Sequence, residues 1–152
     1  MGSSGPRSFV PAVGAARHRL TLLPIDANIG VYQRMKNLAW LADSRSRVKS
    51  LPDGVQDDIG YALYAAQVGE RSVKAKPLHG LGGQVMEISA YDAGGTCRAV
   101  YTVSVGESIY MVHAFQNKSK AGIAMPKPEM DLIRQRLRQL RSEVKDAENR
   151  AP

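Results

Sequence analysis

The chain has 152 residues, a length that allows one domain of ordinary size and excludes a large multidomain enzyme. Its 43% hydrophobic and 23% charged residues are typical of a globular chain with a core and argue against wholesale disorder. With 21 Lys and Arg against 14 Asp and Glu, the formal net charge of +7 favours a polyanionic partner, either nucleic acid or an acidic protein. The single cysteine, Cys97, excludes an internal disulfide and a cysteine-rich zinc site, which favours a reducing, cytoplasmic setting.

The amino-terminal part of the chain differs in texture from the rest. Residues 1–34 are dominated by Gly, Ser, Pro, Ala and Arg, so we predict a poorly ordered extension. The extension lacks the pattern of a signal peptide, and no run in the chain reaches the roughly 20 apolar residues of a membrane helix, so we expect neither secretion nor a membrane span. A compact domain is predicted for residues 35–145 with a tail at 146–152; that natural translation begins at Met35 is a hypothesis that intact-mass analysis tests.

The first elements of the predicted domain are a short strand and two helices. The apolar run Lys36–Ala42 indicates the strand, and Asp43 is a plausible cap for a short helix through Ser50. A second helix begins at Pro52 and stops at Gly69. Its apolar face repeats every three or four residues and comprises Val55, Ile59, Leu63 and Ala66.

Three strands and a last helix follow a basic loop at Arg71–Gly83. The strands are predicted at Val85–Tyr91, Thr96–Val105 and Ser108–Gln116, joined by turns at Asp92–Gly95 and Gly106–Glu107 that are short enough for hairpins. After a loop with two prolines, an Arg-rich helix runs to about Lys145. The apolar stripe of this helix comprises Met130, Ile133, Leu137, Leu140 and Val144. We expect the stripe to pack on the domain's own sheet, with partner docking as the alternative.

The element order is therefore β-α-α-β-β-β-α with an antiparallel meander, which is an α+β fold. Nucleotide-binding glycine motifs, metalloprotease motifs and nucleophile elbows are absent from the sequence. Among the histidines, His18 lies in the extension, His113 is expected to be a buried, hydrogen-bonded imidazole, and only His79 is expected to reach a substrate. Cys97 is expected to be a packed, inert thiol.

Positive charge is concentrated around the predicted sheet. Six basic residues against three acidic ones lie between Arg71 and Met125. Each basic residue taken alone is typical of a solvated surface, so their convergence on one face is a hypothesis. The six are Arg71, Lys74, Lys76, Arg98, Lys118 and Lys120.

Several stretches in the same order resemble a known family. The motif K-P-L-H-G-L within Lys74–Gly83 is followed by V-M-E-I at Val85–Ile88, by C-R-A-V-Y within Asp92–Tyr101 and by H-A-F-Q-N-K-S at His113–Ser119. Together they resemble the phage-derived, HigB-like branch of the RelE/ParE toxin superfamily. The resemblance covers about residues 35–140 and excludes the extension.

The resemblance implies a compact RelE-like fold and a toxin of a type II toxin–antitoxin pair. RelE- and HigB-like members are similar to ribosome-dependent messenger-RNA endonucleases that need neither a metal nor a cofactor. In them the 2′-hydroxyl attacks the adjacent phosphate while basic side chains stabilise the developing charge. The implied partners are a cognate helix-turn-helix antitoxin, the ribosome and mRNA.

The family's functional positions can be carried over to this sequence one by one. The basic pair before the meander corresponds to Lys74 and Lys76, the strand arginine to Arg98, and the basic residue after the third meander strand to Lys118. The resemblance thus implies that Arg98 and Lys118 hold the scissile phosphate, while Lys74 and Lys76 position RNA or assist proton transfer. We further expect RNA contacts from Arg71, His79 and Lys120.

Three departures from the family pattern leave alternatives open. Cys97 replaces a tyrosine that relatives commonly have, Asn117 replaces a lysine, and no Tyr or His near the carboxyl end supplies a terminal acid or base. The alternatives are a ParE-like inhibitor of DNA gyrase and a catalytically decayed toxin that only binds its antitoxin. Whether Glu87 and Asp92 contribute to the site is open at this point.

Overall fold

A computed structural model describes residues 21–26, 31–82, 84–118 and 124–151. In chain order the elements are β1 (Thr21–Asp26), β2 (Val31–Met35), β3 (Asn37–Trp40), α1 (Ser44–Lys49), α2 (Asp53–Gln67), β4 (Ala75–Pro77), β5 (Val85–Asp92), β6 (Gly95–Thr102), β7 (Ser108–Asn117) and α3 (Lys127–Arg150). From β3 onward this order contains every element that the sequence predicts, and the α+β class is confirmed.

The central sheet has five strands in the order β3-β7-β6-β5-β4. The predicted meander is confirmed, because β5, β6 and β7 pair antiparallel with their chain neighbours. Strand β3 joins one edge parallel to β7, and β4 joins the other edge antiparallel to β5. The sheet therefore places β4, inside the predicted basic loop, next to the first meander strand.

The structure differs from the sequence prediction in four places. Strand β6 ends at Thr102 rather than Val105, so five residues rather than a tight turn at Gly106–Glu107 join it to β7. Strand β4 forms where a loop is predicted. The sequence does not indicate this strand, because three residues that end at Pro77 are too few to show an alternating pattern. Helix α3 ends at Arg150 rather than near Lys145. Strands β1 and β2 lie in the predicted extension and pair as a separate two-stranded sheet. Residues 1–20 and 27–30 of that extension lie outside the described residues.

Each face of the five-stranded sheet packs against helices. The face that carries Met86, Ile88 and Tyr101 packs against α2, and we call it the α2 face. The opposite face, which carries Val85, Val100 and Val112, packs against α3, and we call it the α3 face. The stripe of α3 is buried there, as the sequence predicts, through Ile133, Leu137, Leu140 and Val144. Burial of this stripe removes apolar surface from water on the α3 face.

The turn between β5 and β6 requires glycine at position 95, where β6 begins. Asp92 pairs with Gly95, and Gly95 has a φ of 128°, a backbone conformation that residues with a Cβ rarely adopt. A Cβ on Gly95 would also lie 2.1 Å from the carbonyl oxygen of Asn117, which is a collision. This close approach ties the β5–β6 turn to the end of β7.

Candidate nucleic-acid interface

The strand register brings Lys76, Glu87 and Arg98 to the α3 face. Lys76 lies directly opposite Glu87 in the β4–β5 pair, and Arg98 lies opposite Ser89 in the β5–β6 pair. Directly opposite residues of antiparallel strands project to the same face, and alternate residues of one strand do so as well. Because Ala75, Ile88, Ala99 and Tyr101 belong to the core of the α2 face, the residues between them lie on the α3 face.

A largely buried ion pair joins two of these side chains. Nη1 of Arg98 lies 3.1 Å from Oε2 of Glu87, and the side chains are 13% and 5% exposed. Taking both charges out of water is costly, so the pair holds each partner in a defined position rather than contributing much net stability. Glu87 therefore orients the guanidinium at the α3 face.

An exposed aromatic ring lies beside this ion pair. Tyr91 follows Glu87 and Ser89 at every second position of β5, which places it on the α3 face, and it is 60% exposed. An exposed tyrosine on a basic surface is a platform on which a nucleobase can stack. We call the five neighbouring residues Lys76, Glu87, Ser89, Tyr91 and Arg98 the Arg98 patch.

Lys118 lies at the end of the sheet where Tyr91 is found. It follows β7 directly and is exposed, and its Cα would lie 2.8 Å from a Cβ on Gly95. Because Asp92 and Gly95 form the adjoining turn, Lys118 lies at the same end of the sheet as the Arg98 patch. Of the four residues that the resemblance implies for catalysis, the structure thus brings Lys76 and Arg98 to one face and Lys118 to the adjacent end.

Lys74 and Arg71 lie on the other side of the sheet. The ammonium of Lys74 donates to Oδ2 of Asp58 on α2 at 2.8 Å, so it points to the α2 face although Lys76 is only two residues away. Arg71 is exposed and borders a cleft on that face. His79 is exposed in the loop after β4 and lies on none of the strands that carry the Arg98 patch. Lys120 lies outside the described residues.

His113 is fully buried, and both of its ring nitrogens have partners, as the sequence predicts. Nε2 donates to Oε1 of Glu129 at 2.6 Å, and Nδ1 accepts from Nη1 of Arg136 at 3.3 Å. An arginine can only donate, so this arrangement requires neutral His113 with its proton on Nε2. Burial is the main cause that lowers the pKa of His113, Arg136 and Arg47 lower it further, and the bond to Glu129 opposes them.

The His113 contacts anchor the beginning of α3 to the domain. Arg136 also donates to the carbonyl of Val112 at 2.8 Å and to Oδ1 of Asp43 at 2.7 Å. Asp43 in turn accepts from Arg47, at 2.9 Å. These neighbouring arginines lower the pKa of Asp43 against the opposing effect of burial. A histidine engaged in this way stabilises structure and is not positioned to exchange protons with a substrate.

Asp92 and Cys97 have local structural roles. Oδ1 of Asp92 accepts from the amide of Gly94 and from Nε2 of Gln116, both at 2.9 Å, so it shapes the turn. Cys97 is buried as predicted, and burial followed by the charge of Asp92 raises the pKa of its thiol. A raised pKa reduces the thiolate fraction and with it the reactivity of the thiol.

Sequence reasoning missed the roles of Glu87 and Tyr91. The signal for Glu87 is an acidic residue between Met86 and Ile88, two residues of an otherwise apolar strand. A buried carboxylate requires a partner, but only the register between β5 and β6 identifies it as Arg98. For Tyr91, alternation along the strand predicts the face but not that the side chain is 60% exposed.

No three His, Cys, Asp or Glu side chains among the described residues lie close enough together to hold a metal ion. No described helix is long and apolar enough to cross a membrane.

The fold and the Arg98 patch define a small α+β protein with a basic, aromatic surface on one sheet face. Residues 46–138 match the model of the family described as "Phage derived protein Gp49-like (DUF891)". This is more than half of the chain, and the chain belongs to that family, which is related to RelE- and HigB-type toxins. A search of the curated proteins finds no match.

The matched segment contains most of α1, all of α2 and the meander, and the first half of α3, and with them the whole Arg98 patch. The resemblance inferred from the sequence motifs is thereby confirmed at the level of this wider family. Membership of the HigB-like branch stays a prediction.

Proposed function

We propose that this protein is the toxin of a type II toxin–antitoxin pair and cleaves messenger RNA on the ribosome. The observation that supports the proposal most strongly is the position of Lys76, Arg98 and Tyr91 together on the α3 face. The two cations suit a phosphate, and the exposed ring suits an adjoining base. Membership of a family related to RelE- and HigB-type toxins supports the same function.

The proposed reaction is an internal phosphoryl transfer. The 2′-oxygen of one nucleotide bonds to the adjacent phosphorus, and the bond from phosphorus to the 5′-oxygen of the next nucleotide breaks. The products are a 2′,3′-cyclic phosphate and a free 5′-hydroxyl. Arg98, with Lys76 and Lys118, stabilises the additional negative charge of the pentavalent transition state, which is a larger charge than the ground state carries.

Glu87 is the proposed proton acceptor of this reaction. Its carboxylate is held beside Arg98, where a phosphate would bind, through the buried Oε2, so the other oxygen, Oε1, is the proposed acceptor. A carboxylate in that position can take the proton of the attacking 2′-hydroxyl. The leaving 5′-oxygen takes up a proton from a neighbouring donor as its bond to phosphorus breaks, and Lys76, opposite Glu87, is the nearest candidate by register.

The proposed partners follow from this function. A helix-turn-helix antitoxin is the expected inhibitor, and the ribosome and mRNA are the expected targets. The net charge of +7 supports binding to ribosomal RNA through the summed field of the surface.

The test is induced expression of the protein with growth measurement and mapping of new 5′ ends in translated messages. Wild type should arrest growth and produce cuts, and Arg98→Ala and Lys118→Ala should lose at least about 100-fold of the cutting, as expected for removal of a transition-state cation. Arg138→Ala, which removes a charge from the exposed side of α3, is the matched control and should cut like wild type. Circular dichroism of each purified variant checks folding.

The other outcomes of this experiment would reject the proposal. Growth arrest without cuts in messages would indicate poisoning of a protein such as DNA gyrase. No arrest, with a folded protein, would leave a module that only binds its antitoxin.

A further inference from the structure

A cleft of about 530 Å³ opens on the α2 face, away from the Arg98 patch. Met86 and Tyr101, which pair in β5 and β6, line it at the end of the sheet opposite to the Asp92–Gly95 turn. Its volume lies in the range of roughly 300–1,000 Å³ that small-molecule sites occupy. The cleft is thus separated from the proposed RNA-cleaving face by the thickness of the sheet.

Tyr101 presents its hydroxyl in the wall of this cleft. The residue is 1% exposed, and its hydroxyl has no hydrogen-bond partner among the described residues. Burial raises the pKa of Tyr101 to about 12, and the charge of Arg71 opposes that rise. The hydroxyl oxygen itself is not buried, so it meets solvent in the cleft and is available to a ligand.

Two cations border the same cleft. The ammonium of Lys36 donates to the carbonyl of Val103 at 3.2 Å, and Arg71 is exposed on the rim. Neither has a carboxylate within salt-bridge distance among the described residues. Glu70 lines the cleft as well and likewise has no ion pair in that part of the chain. The cleft therefore offers positive groups, one carboxylate and a hydroxyl around an apolar floor of Ala66, Pro77, Met86 and Val103.

We propose that this cleft binds a nucleoside monophosphate. Lys36 and Arg71 suit its phosphate, and the carboxylate of Glu70 can accept hydrogen bonds from ribose hydroxyls, the role that an acidic residue has in dinucleotide sites. The base fits against Pro77 and Val103, the less buried apolar residues of the cleft, and the hydroxyl of Tyr101 can donate to a base acceptor. Inorganic phosphate would leave the apolar floor and Tyr101 unused, so the whole nucleotide is the better match. The inference is independent of RNA cleavage, because it uses the other sheet face.

The test is calorimetric titration of the full chain with AMP, GMP, CMP and UMP, and separately with adenosine and inorganic phosphate. At least one nucleotide should bind one to one and at least about tenfold more tightly than either fragment, the effect of one charge-assisted hydrogen bond. Arg71→Ala should weaken that binding about tenfold or more. Tyr101→Phe, which keeps the ring, should weaken it about fivefold, as expected for one neutral hydrogen bond.

Two variants serve as controls for charge and location. Arg138→Ala removes an equal charge from α3, and Lys76→Ala removes one from the Arg98 patch; both should bind the nucleotide like wild type, and thermal unfolding checks that all variants fold. Binding of inorganic phosphate as tight as that of every nucleotide would overturn the proposal. The proposal would also be overturned if Arg138→Ala lowered nucleotide affinity as much as Arg71→Ala, or if only Lys76→Ala lowered it. Binding of single-stranded oligonucleotides without binding of any mononucleotide would overturn it as well.

Discussion

At the scale of single residues, the ion pair of Glu87 and Arg98 is the most constrained feature of the molecule. Both side chains are largely removed from water, so loss of one partner leaves a buried charge without compensation. Loss of both charges removes the desolvation cost along with the attraction. The ion pair thus contributes little net stability, and its role in this account is to orient Arg98 towards a phosphate.

We predict that Arg98→Ala lowers the free energy of unfolding by about 3 kcal/mol or more, the cost of breaking a buried pair. The double variant Glu87→Leu with Arg98→Met should recover most of that loss while remaining unable to cleave RNA. Urea unfolding of the two variants measures this. A double variant no more stable than Arg98→Ala would contradict the account of the pair.

The buried imidazole of His113 predicts how stability depends on pH. Its pKa is lowered from the ordinary value of 6.5 by burial and by Arg136 and Arg47, against the opposing bond to Glu129. The unfolded chain therefore binds this proton at a higher pH than the folded protein does. The stabilisation is complete above about pH 6.5 and is lost as the pH falls from there towards the lowered pKa.

We accordingly expect the free energy of unfolding to fall between pH 7 and pH 5, and to fall less in His113→Gln. His79→Gln is the matched control, because His79 is exposed in a loop, and it should keep the wild-type slope. Chemical unfolding at a series of pH values gives the slopes. Equal slopes for all three proteins would show that His113 is not the group responsible.

Sequence patterns predicted the residues whose surroundings follow from one strand alone. The burial of Cys97 follows from alternation within its own strand. His113 is buried as predicted, but on the α3 face, because a register shift separates it from Met111 on the α2 face. The partners of Glu87 and Arg98 depend on the register between two strands, which periodicity does not contain. The opposite directions of Lys74 and Lys76 depend on a strand of three residues, too short to be recognised.

At the scale of elements, glycine has opposite effects in a turn and in a helix. Gly95 has positive φ and no room for a Cβ, whereas Gly60 lies within α2 with nothing within 4 Å of the position of a Cβ. We predict that Gly95→Ala destabilises the protein by about 2–3 kcal/mol through strain and collision. Gly60→Ala should stabilise it by about 0.5–1 kcal/mol, because alanine favours a helix.

Thermal or urea unfolding of both variants measures these effects. If Gly95→Ala left the free energy of unfolding unchanged, the β5–β6 turn would not be held against the end of β7.

The predicted stripe of α3 and the predicted meander were correct because their periodicity extends over many residues. The end of α3 was wrong because the stripe stops at Val144, while the helix continues to Arg150 without further apolar contacts.

At the scale of the whole molecule, the two sheet faces have different chemistry. The α3 face carries the Arg98 patch, and the α2 face carries a cleft with its own cations. The net charge of +7 predicts a polyanionic partner but not which face meets it. The α+β class was predictable from element order, whereas the division of the basic residues between the faces required the pairing of β4 with β5.

The central claim is that the Arg98 patch is the RNA-cleaving face, and the most direct test compares Lys76→Ala with Lys74→Ala. The two lysines are separated by one residue but point to opposite faces, Lys76 opposite Glu87 and Lys74 to Asp58. The measurement is the rate of message cleavage on programmed ribosomes by purified wild type and both variants.

The account predicts that Lys76→Ala cleaves at least about 100-fold more slowly than wild type, since general acid–base and electrostatic groups contribute about that much. Lys74→Ala should stay within about threefold of wild type, because it loses only an exposed ion pair. Equal losses in the two variants, or a loss confined to Lys74→Ala, would contradict the assignment of cleavage to the α3 face.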